Sequence, residues 1–136
     1  MGRLRVAPTP EAELRDRLGF PGMAVMTWAF GGTATSPHRL ANHREHSVVY
    51  SSTHDTDTLA SAVPDRDPWE LVRLTLSSRA VLSILALQDV LGLGSEARMN
   101  RPGEIDGNWS WRFDADSLDD TLAEALRRET EAAGRI

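Results

Sequence analysis

The chain has 136 residues, 40 % of them hydrophobic, which is enough for one hydrophobic core but too few for two ordinary domains. Its net charge of −5 provides no basic face for a phosphate backbone, so nucleic-acid binding is not expected. It has no cysteine, which excludes disulfides and thiolate metal sites. Without a signal-peptide-like start or an apolar stretch of about 20 residues, we expect a cytoplasmic protein with no membrane contact.

The first half of the chain predicts one helix and two strands. Thr9 followed by proline and glutamate is typical of a helix start, and the helix should run to about Leu18. The nearly continuous apolar run at residues 23–30 predicts a strand covered on both faces. A polar loop at residues 31–44 leads to a second predicted strand at residues 47–51.

The second half predicts a helix, a third strand and a terminal helix. Asp67 and Glu70 have the spacing of a capping box at the start of the next helix. Residues 80–87 predict the third strand. Ser117 is the predicted cap of the last helix, and Gly134 its stop. Strands that alternate with helices indicate an α/β fold with a parallel sheet and right-handed crossovers.

The most informative motif directly follows the second strand: Thr-His-Asp-Thr-Asp-Thr at residues 53–58. A buried strand that ends in His54 and Asp55 has the layout of a catalytic strand end in a parallel α/β barrel, where chemistry collects at the carboxyl ends of strands. The alternative is that these side chains cap the following helix. For Asp57, a helix-start role and a contact with a bound ligand are equally compatible with the pattern.

Four collinear stretches carry a resemblance to a known family. They are residues 14–23, 48–50 with 53–58, 87–94, and 97–103 with 107–112. Together they resemble the C-terminal part of the 4-α-glucanotransferases, the amylomaltases or disproportionating enzymes of the α-amylase clan. The resemblance implies that residues 1–136 form a single partial catalytic domain, the C-terminal part (about strands 6–8 and their helices) of a (β/α)8 TIM barrel. A complete barrel needs at least about 200 residues.

The resemblance also implies a chemistry. The family transfers α-1,4-glucan segments between maltooligosaccharides in maltodextrin or glycogen metabolism, with retention of configuration and without a cofactor or metal. A retaining mechanism needs a nucleophile and an acid/base. Asp55 matches the clan's third carboxylate, which stabilises the transition state as part of the catalytic site. His54 matches the neighbour that hydrogen-bonds the same sugar.

The other two carboxylates of that site have no counterpart in the sequence. The family's acid/base glutamate lies in a Glu-Asp-Leu-Gly segment, where this chain has Arg3-Leu4-Arg5-Val6, and the nucleophile belongs to an earlier strand. The isolated chain is therefore predicted to be inactive. The alternatives are a non-catalytic glucan-binding or partner-binding remnant, or a subunit completed by a separate N-terminal barrel half.

The three histidines between the first two predicted strands do not form a metal-ligand motif. His38, His43 and His46 lack regular spacing, so a solvated loop is the favoured interpretation. In the family this loop lies over the mouth of the active site. The resemblance therefore makes His38, Asn42 and His43 candidate sugar contacts.

Three tryptophans and the loop after the third strand complete the predictions. Trp28 is predicted in the core, and Trp109 and Trp111 are predicted to pack the terminal segment rather than to stack on glucose. Asp89 either reaches the site or holds the following loop, and Arg98 and Asn100 are predicted to lock that loop.

A three-stranded piece of a barrel should expose strand edges and an apolar face, so we expect self-association. The terminal helix is predicted to turn Leu118, Leu122 and Leu126 inward.

Overall fold

A computed structural model describes residues 7–136 of the chain. A three-stranded sheet and the helices that pack on it make up the fold. The strands are β1 (Gly22–Val25), β2 (Ser47–Tyr50) and β3 (Leu82–Ile84). The helices are α1 (Pro10–Arg17), α2 (Leu59–Ala62), α3 (Pro68–Leu76), α4 (Leu87–Val90) and α5 (Asp120–Ala132). None of the helices within residues 7–136 is both long and apolar enough to cross a bilayer.

The sheet is parallel and has the order β1-β2-β3, which confirms the predicted α/β class. Met23 pairs with Val48, and Val48 in turn pairs with Leu82. Each connection between neighbouring strands passes through loop or helix, as a parallel sheet requires. The carboxyl ends of all three strands consequently meet at one edge of the sheet.

The two faces of the sheet differ sharply in burial. Ala24 and Val49 point to one face and are 2 % and 0 % exposed, packed in a core with Leu59 of α2 and Leu71 of α3. The alternating residues point to the other face. There Met23, Leu82 and Ile84 are 54 %, 51 % and 41 % exposed. One face of the sheet is thus covered by helices, and the other is open at Met23, Leu82 and Ile84, although Val25 on the same side is fully buried.

The first strand is shorter than predicted. It ends at Val25, and Met26–Trp28 form a turn of 3-10 helix. Its partner β2 ends at Tyr50, opposite Val25, so no ladder remains for the residues beyond. The apolar residues beyond Val25 are still explained by burial, because Met26 in the 3-10 turn and Ala29 directly after it pack in the core. Trp28, predicted in the core, is half exposed.

The third strand is also shorter than predicted, with three residues in place of the eight at 80–87. Residues 87–90 form the short helix α4 instead. A short apolar run cannot by itself distinguish a strand from a buried helical turn, and the end of β2 decides where pairing stops.

Local capping chemistry predicted two of the three helix starts. Thr9 accepts a hydrogen bond from the Ala12 amide at 3.3 Å, and Asp67 accepts one from the Glu70 amide at 3.1 Å. The third prediction, Ser117, is wrong. Asp119 caps α5 by accepting from the Leu122 amide at 2.8 Å, while Ser117 lies in a preceding 3-10 turn. Leu118 precedes the helix and is half exposed rather than inward.

Candidate functional site

A cleft of about 480 Å³ lies at the carboxyl ends of the strands. We call it the strand-end cleft. Its polar lining consists of Tyr50, Ser52, Thr53, His54, Thr56, Thr58, Gln88 and Arg98. The apolar lining is Met23, Ala86 and Met99. The polar motif after β2, residues 53–58, therefore lies at this edge of the sheet, where parallel α/β barrels carry their catalytic residues.

His54 and Asp55 form a pair at this cleft, in which His54 belongs to the lining and Asp55 does not. Nε2 of His54 lies 3.2 Å from Oδ2 of Asp55, and both side chains are more than half exposed. Asp55 does not cap the following helix, because Thr58 occupies the cap position of α2. The pair is therefore open to a ligand, and the capping alternative fails for Asp55.

The loop after α4 holds this pair in place. Asn100 donates Nδ2–H to Oδ1 of Asp55 at 2.6 Å, and its backbone amide donates to the carbonyl of His54 at 3.0 Å. Arg98 donates to the carbonyl of Asp55 at 2.8 Å. The predicted loop-locking role of Arg98 and Asn100 is confirmed, and what they lock is the candidate site itself.

Trp109 covers His54. The centroids of the indole and imidazole rings are 5.2 Å apart, with 36° between the ring planes. Trp109 is the one non-glycine residue within 7–136 with positive φ, at 60°, and its amide donates to the Met99 carbonyl at 2.6 Å. Trp109 is half exposed, and its role in packing the terminal segment stays a prediction. A left-handed tryptophan costs about 1–2 kcal/mol, so the surrounding contacts must impose this geometry.

Asp57 lies at the joint between the motif and α2. Both of its carboxylate oxygens accept from the Ser95 hydroxyl at 2.8 Å, and Oδ1 also accepts from the Thr58 amide at 2.9 Å. It is not among the lining residues of the strand-end cleft. These contacts serve the helix-start role, and a sugar contact of Asp57 stays a prediction.

His38 is held within its loop. Its Nδ1 accepts from the Val25 amide at 3.1 Å, and its ring meets the edge of Trp28 at a centroid distance of 4.9 Å. Burial, and to a smaller extent the nearby His43, lowers the pKa of His38. Because Nδ1 accepts a proton donor here, the neutral imidazole is the form that the fold uses.

Asn42 is likewise used inside the loop. Its Nδ2 donates to the carbonyls of Ala34 and Ser36, both at 2.8 Å. It lines a second cavity, of about 630 Å³, beside α1 and the amino ends of the strands. Neither His38 nor Asn42 lines the strand-end cleft, and their contact with sugar stays a prediction.

Within residues 7–136, no three His, Asp or Glu side chains are grouped so as to hold a metal ion. The chemistry that the site offers is that of one exposed carboxylate paired with an imidazole. An exposed carboxylate can hydrogen-bond hydroxyl groups and stabilise a developing positive charge.

Comparison with known proteins identifies relatives along almost the whole chain. Residues 4–67 and 61–118 match the family model of glycoside hydrolase family 77, described as 4-alpha-glucanotransferase. The 4-alpha-glucanotransferase of Synechocystis is 41 % identical across 93 % of this chain, and that of Thermus thermophilus 39 % across 94 %. The chloroplastic/amyloplastic enzyme of Arabidopsis thaliana is 40 % identical across 91 %. This chain spans only 29 %, 31 % and 25 % of their lengths, respectively.

A solved structure agrees at the level of the fold. The amylomaltase from Streptococcus agalactiae in complex with acarbose superposes on 97 % of this chain with a TM-score of 0.83 and 24 % identity. The superposition covers 31 % of that amylomaltase. The three-stranded parallel piece described above is therefore a part of a larger known fold.

Proposed function

The chain belongs to the 4-alpha-glucanotransferase family, and from this premise we propose that it supplies the transition-state-stabilising part of a glucanotransferase active site. The observation that supports the proposal is the exposed His54–Asp55 pair at the strand-end cleft, held by Asn100. Asp55 would bind hydroxyls of the distorted sugar and stabilise the positive charge that develops as the glycosidic bond breaks. His54 would donate a hydrogen bond to the same ring.

The proposed reaction is transfer of α-1,4-glucan segments between maltooligosaccharides with retention of configuration. It requires a nucleophile and an acid/base about 5–5.5 Å apart, and neither has a counterpart in the sequence of residues 1–136. We expect the 136-residue chain alone to bind glucan without transferring it. We propose that its substrates are those of maltodextrin or glycogen metabolism and that the reaction takes place in the cytoplasm.

The partner of this chain in the proposal is the remainder of a barrel. β1, β2 and β3 would be the sixth to eighth strands of a (β/α)8 barrel. The open face with Met23, Leu82 and Ile84 would then point into the barrel and be covered by the other strands. A polypeptide carrying the preceding strands would bring the nucleophile and the acid/base to Asp55.

Binding of acarbose tests the sugar site, since a solved relative of this fold holds that compound. We expect calorimetry to detect binding to the 136-residue chain and Asp55→Asn to weaken it by about tenfold or more, because hydrogen bonds to a charged group contribute about 1.5–3 kcal/mol. Asp65→Asn is the matched control, because Asp65 is also an exposed aspartate but lies outside the motif at residues 53–58. Equal affinities of both variants and the parent chain would exclude Asp55 from the site.

Glucan transfer tests the partner. The 136-residue chain is mixed with a polypeptide that carries the preceding barrel strands of a family relative, and glucose release from maltotriose is measured. Restored transfer that Asp55→Asn abolishes would support completion by a separate half. Acarbose binding without any restored transfer would instead favour the non-catalytic glucan-binding remnant.

A further inference from the structure

We call the polar motif at residues 53–58 the strand-end loop. The residues on both sides of this loop are hydrogen-bonded to one buried carboxylate, that of Asp89. Oδ2 of Asp89 accepts from the hydroxyls of Ser51 and Ser52, at 2.6 and 2.5 Å. Its Oδ1 accepts from the amide of Leu59 at 2.8 Å. The two serines directly precede the loop and Leu59 directly follows it. A single side chain therefore holds both ends of the segment that carries His54 and Asp55.

Asp89 also replaces the expected cap of α2. Thr58 occupies the cap position, but it makes no side-chain cap hydrogen bond, and its buried hydroxyl has no partner within residues 7–136. The amide of Leu59, one of the helix-start donors that need an acceptor, is taken by Asp89 from 30 positions away. The start of α2, and with it the end of the strand-end loop, is thus set by a non-local contact.

The burial of Asp89 makes it costly for either end of the strand-end loop to move away from it. Asp89 is 1 % exposed, and none of the ion pairs within residues 7–136 includes it. A buried carboxylate without a cation depends on its hydrogen-bond donors, so each lost donor carries a desolvation cost. Movement of either loop end away from Asp89 is therefore opposed.

The same network extends to the third strand. The Ser51 hydroxyl, besides donating to Asp89, accepts from the amide of Ala86 at 2.9 Å, and the Ser51 amide donates to the Ile84 carbonyl at 3.0 Å. The ends of β2 and β3 are consequently joined at Ser51, two residues before the strand-end loop begins. Asp89 itself lies in α4, next to Gln88 of the cleft lining.

We propose that Asp89 is a positioning residue that fixes both ends of the strand-end loop and thereby sets the orientation of the His54–Asp55 pair toward glucan. The glucan part of this inference rests on the proposed function. The loop part rests only on the contacts above. The two parts have separate readouts.

The test compares Asp89→Asn with Thr75→Val in the full 136-residue chain. Asparagine keeps the shape but removes the charge. Thr75 is equally buried, and its hydroxyl donates only to the Leu71 carbonyl within α3, at 2.8 Å. Hydrogen exchange is followed by mass spectrometry in peptides that cover residues 53–59 and 68–76. Acarbose affinity is measured in parallel.

We expect Asp89→Asn to accelerate hydrogen exchange in residues 53–59, and this acceleration should be at least about ten times the acceleration in residues 68–76. The reason is that the substitution weakens hydrogen bonds to a charged acceptor at both loop ends. Acarbose affinity should fall about tenfold to a hundredfold, as expected for a misplaced binding group. Thr75→Val should accelerate exchange more in residues 68–76 than in residues 53–59, and it should bind acarbose with the affinity of the parent chain. Equal acceleration in both peptides, or none, would overturn the inference.

Two further arms keep the outcomes separate. If Asp89→Asn does not fold, Ser52→Ala removes one donor and keeps the carboxylate, and the same local acceleration is expected. If the parent chain binds no acarbose, the proposed sugar site fails, while the exchange pattern still decides whether Asp89 fixes the loop.

Discussion

Asn100 donates its Nδ2–H to Oδ1 of Asp55 across 2.6 Å, although 45 positions separate the two residues in the chain. The same residue binds the His54 carbonyl through its backbone amide. One asparagine therefore fixes the carboxylate and the backbone of the motif together. The candidate site is formed by the meeting of two loops, one after β2 and one after α4.

Replacing Asn100 with aspartate should weaken acarbose binding at pH 7 by about tenfold or more. The variant places a second carboxylate against Asp55, and two like charges at this distance disfavour each other. Calorimetry at pH 7 checks this. Asn100→Ala removes the donor without adding charge and should weaken binding less than Asn100→Asp. An affinity of Asn100→Asp equal to that of the parent chain would contradict the assigned contact.

Trp109→Ala should lower acarbose affinity by up to about tenfold, with little change in stability. The indole orients His54, and ring pairs of this kind contribute about 0.5–1.5 kcal/mol. Trp28→Ala is a matched control, since Trp28 is 49 % exposed against 53 % for Trp109 and contacts His38 instead. Calorimetry gives the affinities and thermal unfolding the stabilities. Equal affinities of the two variants would show that the ring over His54 has no role in binding.

Leu82→Lys should reduce self-association of the 136-residue chain. Leu82 lies on the open face of an edge strand, and a lysine on an exposed edge opposes sheet pairing between copies. Sedimentation velocity should show a shift toward monomer. Leu118→Lys is the control, because Leu118 has similar exposure but lies away from the sheet. If Leu118→Lys shifts the chain toward monomer as strongly, the open face of the sheet is not the cause of self-association.

His38 should make the chain less stable as the pH falls. Its pKa in the folded state is lowered by burial, so the unfolded chain binds more protons near the ordinary pKa of about 6.5. The contribution of His38 to stability is therefore complete above that value and is lost as the pH falls toward the folded-state pKa. Denaturant unfolding at pH 8 and pH 5 measures the loss.

His38→Asn isolates this contribution. An asparagine oxygen can replace Nδ1 as the acceptor for the Val25 amide but does not titrate. The variant should lose less stability than the parent chain between pH 8 and pH 5. Identical losses would mean that other groups cause the pH dependence.

Features that depend on neighbouring residues were predictable from the sequence. The caps of α1 and α3 were correct because the side chain and the amide it accepts lie three residues apart. The parallel α/β class followed from the alternation of apolar strands and helices. The position of His54 and Asp55 at a strand end followed from their place directly after the apolar run of β2.

Tertiary structure decided how the strands end and how the site is held. β1 and β3 stop where β2 has no more residues to pair, which an apolar run cannot reveal. Asp89 holds the residues on both sides of the strand-end loop, and Asn100 and Trp109 contact the loop itself, all from more than 25 positions away. Such contacts depend on how separate elements pack, whereas capping and alternation depend on residues adjacent in the chain. The sequence alone thus determined the identity and strand-end position of the candidate pair, and packing determined its orientation.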